Sequence, residues 1–219
     1  MTQGKIFAGV ALAAGILFFA VFALLSPKPE PPPPAPVQAA AASALVRSHS
    51  PVKGSASAPV TIVEFLDPEC EACRAMHPIV KALLEEYADR VRLVVRYMPL
   101  HANSVFAASV LEEARDYGKY DEALDALFEN QPAWGDHHAP KPELIPTYLA
   151  PLGLDASKLG ADYVIAKHRW KIDLDKADGT QLGVRGTPTF FVNGVMLPEL
   201  GYRQLKQAID IALAPKTTG

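Results

Sequence analysis

Hydrophobic residues recur along this chain in three rhythms. The first is an unbroken run. Ile6 to Leu25 is twenty residues without a charge, and as a helix it would span about 30 Å, the thickness of a bilayer's hydrocarbon core. Lys5 precedes it and Lys28 is the next basic residue. A short basic N-terminus stays inside, so the run predicts a single-pass anchor with the rest of the chain exported. The run is longer than the apolar core of a cleaved signal, about 7–15 residues, and it ends in Ala23-Leu24-Leu25-Ser26, a poor cleavage site. Residues 1–25 are therefore expected to be an uncleaved anchor in the cytoplasmic membrane. After Ser26 the apolar rhythm stops. Pro27, Pro29, Pro31 to Pro34, Pro36 and Ala39 to Ala42 predict a stiff, extended tether over 26–57.

From Ala58 onward, strand and helix periods alternate. Val60 to Phe65 is short, β-branched and bounded by turn residues, which predicts a strand. Met76, Ile79, Val80, Leu83 and Leu84 fall at helical spacing within a helix expected from Cys73 to about Tyr87. Val91 to Tyr97 reads as a second strand, parallel to the first because a helix joins them. An Ala-, Leu- and Glu-rich block over about 103–182 reads as helical. Phe190-Phe191-Val192 and Val195-Met196-Leu197 flank Asn193-Gly194, the strongest two-residue hairpin signal. Tyr202 to Leu213 closes the domain as a helix with Leu205, Ile209 and Leu213 on one face. The fold class is α/β, in a domain over 58–219.

Net charge is −3, which gives no basis for a nucleic-acid partner. Only two cysteines are present, in Cys70-Glu71-Ala72-Cys73. Two cysteines cannot form a multi-bridge scaffold. They lie where a strand gives way to a helix, and unpaired N–H groups with the helix dipole stabilise a thiolate there. Cys70, at the helix mouth, is expected to be exposed and to act as nucleophile. Cys73, one turn in, would resolve a mixed disulfide. Competing readings are a structural disulfide, two inert thiols, or a zinc site with His77 or His101. The first would remove little chain entropy, and the last lacks a second ligand pair. Glu64 lies six residues before Cys70 and shares a strand face with Val60 and Ile62. A carboxyl buried there has a raised pKa and can take a proton from Cys73. Pro78 falls inside the helix, where a proline removes one hydrogen bond.

These residues, with Gly186-Thr187-Pro188-Thr189-Phe190, resemble the DsbA-like branch of the thioredoxin superfamily over roughly 58–213. The resemblance implies a thioredoxin-like fold with a large helical insertion. It implies Cys70 as nucleophile, Cys73 as resolving thiol, Glu64 as buried acid and Pro78 as the helix-kink proline. Thr187-Pro188 would be a cis dipeptide that offers backbone groups to a bound peptide strand and keeps metal from the thiols. No cofactor or metal is implied. Strongly oxidising relatives carry Pro-His between the cysteines, where this chain has Glu71-Ala72. A carboxylate there, with Asp67 and Glu69 nearby, is expected to give a less depressed Cys70 pKa and a milder oxidant.

The expected function is an exported, membrane-tethered enzyme exchanging disulfides with protein thiols, paired with a membrane or soluble redox partner. A reductase or isomerase fed by a membrane electron donor, and a thiol-based metal-binding module, are the alternatives. His101 reads as a surface-loop residue, Met76 as core, Trp134 and Trp170 as packing within the helical block, and Glu112, Glu113 and Asp116 as a solvated helix face.

Overall fold

A computed structural model describes residues 44–215. The expected anchor and most of the expected tether lie outside the described residues. Among those described, no helix is long and apolar enough to cross a membrane.

A five-stranded sheet carries the domain. Its strands are β1 (Val52–Lys53), β2 (Val60–Leu66), β3 (Val91–Tyr97), β4 (Thr189–Val192) and β5 (Val195–Met196). Their order is β1-β3-β2-β4-β5. The central pair β2 and β3 is parallel, as a helical crossover requires. The other pairs are antiparallel. Side chains alternate across the pleat. Val60, Ile62 and Leu66 therefore face one apolar cluster, while Val63 and Phe65 face a second. The β4–β5 hairpin turns at Asn193 and Gly194, both with positive φ (46° and 86°), the geometry that Asn-Gly favours.

Helix α1 (Glu71–Tyr87) packs on the first of these faces. Its buried residues Cys73, Met76, Val80, Leu83 and Tyr87 follow a three-four spacing. Pro78 lies inside it and the helix continues past it. The helical insertion follows β3 as α2 (Ser104–Asp116), α3 (Tyr120–Glu129), α4 (Gln131–Trp134), α5 (Ile145–Leu149) and α6 (Ala161–Gln181). Gly179 of α6 lies so close to Phe65 that a Cβ would come within 2.9 Å of its ring. Helix α7 (Tyr202–Leu213) buries Leu205 and Ile209.

Three expectations need correction. First, residues 44–57 are not tether. Leu45 is buried in the second cluster, and Val52 and Lys53 pair with Val94 and Leu93 of β3. Arg47 donates to Asp178 at 2.7 and 2.8 Å, and His49 lies 2.7 Å from Asp175. Arg96, fully buried on β3, reaches the same two carboxylates at 2.7 and 2.6 Å and also the carbonyl of Ala44. Long-range ion pairs, invisible to local pattern, hold this segment. Second, Glu112 and Glu113 are buried. Lys171 meets Glu112, while Lys167 and His168 meet Glu113, so paired charges form the α2–α6 contact. Third, Trp170 is 57% exposed, edge-on to His49, whereas Trp134 is fully buried.

Arg96→Met removes the fully buried cation of this ionic cluster and leaves Asp175 with only His49 and the Tyr97 amide. Uncompensated buried charge costs about 3–5 kcal/mol. Urea denaturation is expected to show a loss of that size.

Candidate active site

The loop from β2 to α1 is built around a buried carboxylate. Asp67 Oδ1 accepts the Glu69 amide at 2.9 Å. Its Oδ2 accepts the Leu100 amide at 2.8 Å and lies 2.7 Å from His101 Nδ1. Glu69, also buried, accepts the Asn103 amide and side chain at 2.7 and 2.8 Å. Gln131 donates to the carbonyls of Pro68 and Cys70 at 2.8 and 3.0 Å. The insertion thus grips the loop that presents the cysteines.

Cys70 is the N-cap of α1 and accepts the first helical bond, from the Arg74 amide at 3.1 Å. It is 8% exposed, so the expected open thiol is instead largely covered. Its Sγ donates to the carbonyl of Thr187 at 3.3 Å, and the Thr187–Pro188 bond is cis. The carbonyl contact belongs to the thiol. The thiolate is favoured by other groups, and they prevail. A hydrogen bond from the Cys73 side chain lowers the Cys70 pKa most, burial opposes it, and the Thr187 side chain with the Cys73 and Ala72 amides adds to the lowering, to about 5.

Cys73 has the opposite environment. Burial, the bond to Cys70 and the neighbouring Glu64 all push its pKa up, against one weak bond from the Asp67 amide at 3.5 Å. Glu64 is 2% exposed and its Oε1 has no hydrogen-bond partner. Burial alone raises its pKa to about 8. It also lines a cavity of about 370 Å³ between α1, β3 and the insertion.

The structure brings Cys70, Cys73, Glu64, Thr187 and Pro188 together. Ala72 and Glu71 stay exposed. Glu71, expected to weaken the Cys70 thiolate, instead lies 3.6 Å from His137 Nε2. Sequence reading missed Asp67 as organiser of the loop and placed His101 on the surface. The signal available was a carboxylate just past an apolar strand end, beside a parallel strand whose following loop carries His101.

A family model described as Thioredoxin matches residues 47–211. The chain belongs to the thioredoxin family. The thioredoxin-like oxidoreductase from Silicibacter pomeroyi DSS-3 is 30% identical, with a TM-score of 0.65 over 76% of this chain and 93% of that one. BdbD from Bacillus subtilis shares the fold at 22% identity, with a TM-score of 0.68 over 75% of this chain and 93% of that one. The catalytic domain of Proteus mirabilis ScsC does so at 19% identity, with a TM-score of 0.67 over 81% and 97%. A curated relative, the Na(+)/H(+) antiporter NhaA of Herminiimonas arsenicoxydans, is 33% identical over 143 residues, 65% of this chain and 22% of that protein. The chain thus spans about a fifth of the curated relatives it matches.

Away from this thioredoxin-family site, ligand atoms of Glu113, Asp116 and His168 lie within 4.8 Å of one another. The Lys167 ammonium already sits on both carboxylates, at 2.7 and 2.9 Å, so the group is an ion-pair cluster.

The raised pKa of Glu64 has a stability consequence. Its folded pKa lies above the unfolded one, so its favourable balance is complete below about pH 4.5 and is lost as pH rises toward 8. Glu64→Leu is expected to stabilise the domain by roughly 2–4 kcal/mol at pH 8. The gain shrinks toward pH 5. Urea denaturation across this pH range measures it.

Proposed function

We propose that this chain is an exported, membrane-tethered thiol–disulfide oxidoreductase that works mainly as an oxidant of protein thiols. The observation that carries this reading is the opposite tuning of two sulfurs one helical turn apart. The sulfur at the helix mouth is stabilised as thiolate, and the inner one is held as thiol. A stabilised thiolate favours the dithiol form, which makes the disulfide a ready oxidant.

In this reading a substrate thiolate attacks Cys70 of the Cys70–Cys73 disulfide. The S–S bond breaks, Cys73 leaves, and neutral Glu64 gives it a proton. A second substrate thiolate then attacks the substrate sulfur of the mixed disulfide. Cys70 departs as a stable thiolate, a leaving group suited by its low pKa. The net change is one substrate disulfide formed and one enzyme disulfide reduced. In reverse, Glu64 carboxylate takes the Cys73 proton so that Cys73 can attack Cys70. Thr187 and Pro188 supply the edge against which an extended substrate segment lies. The apolar run 6–25 and the proline-rich segment after it support membrane attachment, with redox work outside the cytoplasm. Residues 58–219, extended back to 44, form the catalytic domain, and a membrane or soluble oxidant regenerates the disulfide.

Cys70→Ser is expected to abolish oxidation of reduced, unfolded protein substrates. Cys73→Ser is expected to accumulate mixed disulfides at Cys70. Alkylation of wild-type Cys70 should show a midpoint near pH 5, with Cys73 inert at neutral pH. Equilibration with glutathione should give a potential well above the roughly −270 mV of a thioredoxin-type reductant. Retained exchange in Cys70→Ser would defeat the reading.

A further inference from the structure

Three carboxylates surround Cys70 in sequence, Asp67, Glu69 and Glu71, and the cysteine motif itself holds no cation. Like charge so close destabilises a thiolate. Two imidazoles stand against two of these acids, Asp67 and Glu71. His101 Nδ1 lies 2.7 Å from Asp67 Oδ2. The His101 ring stacks on His137, with centroids 4.7 Å apart and planes 27° apart. His137 Nε2 in turn lies 3.6 Å from Glu71 Oε1. Asp67 also accepts the Cys70 amide through its own carbonyl at 3.1 Å. An acid–imidazole–imidazole–acid chain therefore runs from one flank of Cys70 to the other, joining the loops after β2 and β3, the first turn of α1 and the loop after α4.

We propose that His101 is the cation of the site, an imidazolium that faces the Cys70 thiolate in the reduced protein, with Asp67 and His137 as its positioning residues. The proposal rests on the reading of Cys70 as nucleophile. Asp67 is buried and holds Nδ1 as a donor, which leaves Nε2 to carry the second proton. Burial works against charging this ring, but Asp67, Cys70 and Glu69 outweigh it and raise its pKa. The charged groups around it are Asp67 and Glu69 from the loop, Cys70 and Glu71 from α1, and His137 from the insertion. Arg74, Asp136 and His138 share a pocket with Glu71 and His137. The stacked His137 offers its ring face to the imidazolium.

The redox balance is explicit. Two substrate thiols supply two electrons to the Cys70–Cys73 disulfide and release two protons. Cys73 keeps one proton as thiol. Cys70 remains thiolate, and below the His101 pKa the second proton rests on His101 instead of on sulfur. Oxidation of the pair reverses both steps, and at a pH between the His101 pKa values of the reduced and oxidised forms His101 releases its proton as the thiolate charge disappears.

Nuclear magnetic resonance titration of the imidazoles in the wild-type protein tests this without a substitution. The His101 pKa is expected to be about one unit higher in the reduced protein than in the disulfide form, in line with the effect of a nearby opposite charge. The difference should vanish in Cys70→Ser. An identical His101 pKa in both redox states overturns the proposal. A second arm follows the ultraviolet absorbance of the thiolate. His101→Gln is expected to raise the Cys70 pKa by about one unit, a tenfold loss of thiolate stability. His137→Gln is expected to give a smaller shift of the same sign. An unmoved Cys70 titration in a folded His101→Gln variant overturns the proposal and leaves Cys70 as nucleophile intact. An ordinary thiol pKa for wild-type Cys70 overturns that underlying reading as well.

Discussion

The site depends on a single buried carboxylate held between two strand ends. Parallel pairing of β2 and β3 brings their C-terminal loops side by side. Asp67, fully buried, closes the gap by taking the Leu100 amide and the His101 ring from the second loop while it shapes its own. A buried carboxylate is tolerable only when its oxygens are satisfied. Here that requirement fixes the loop, and the loop fixes where α1 begins. Cys70 becomes the N-cap as a geometric result of this arrangement.

From that placement the chemistry follows through donors at the outer sulfur and burial at the inner one. Moving one helical turn inward takes a sulfur from a largely covered position beside hydrogen-bond donors to one with no exposure. The two thiols share a sequence motif and almost nothing else of their surroundings. Glu64 continues the gradient, with an oxygen that no protein group satisfies. Such an atom is costly in a static core. It is consistent with a group whose proton must come and go, because a permanent partner would hold it in one state.

Much of this was legible in the chain. The strand-to-helix step at the cysteines, the acid on the apolar face of β2 and the Asn193-Gly194 hairpin are local signals, and each reports a local constraint. What could not be read was set at long range. Residues 44–53 look like linker because Arg47, His49 and Ala44 gain their partners from Arg96, Asp175 and Asp178 only when the chain folds. Glu112 and Glu113 look solvated because a helix face of acids is usually wet. The complementary Lys167, His168 and Lys171 on α6 were the clue, spaced to meet them. His101 was misread for the same reason: its partner lies 34 residues earlier.

The insertion serves the site through backbone and loop, with no sulfur of its own. Asn103 binds Glu69, Gln131 binds the carbonyls of Pro68 and Cys70, and His137 approaches Glu71. Four carboxylates or carbonyls next to the cysteines thus answer to residues from the helical block. A family fold can accept such a block between β3 and β4 only where both strand ends stay in register, which β2 and its pairings ensure. Once accepted, the block becomes the means of tuning. Changing a residue in it alters the field at Cys70 while the strands, the cis-proline loop and the two sulfurs stay where the core holds them.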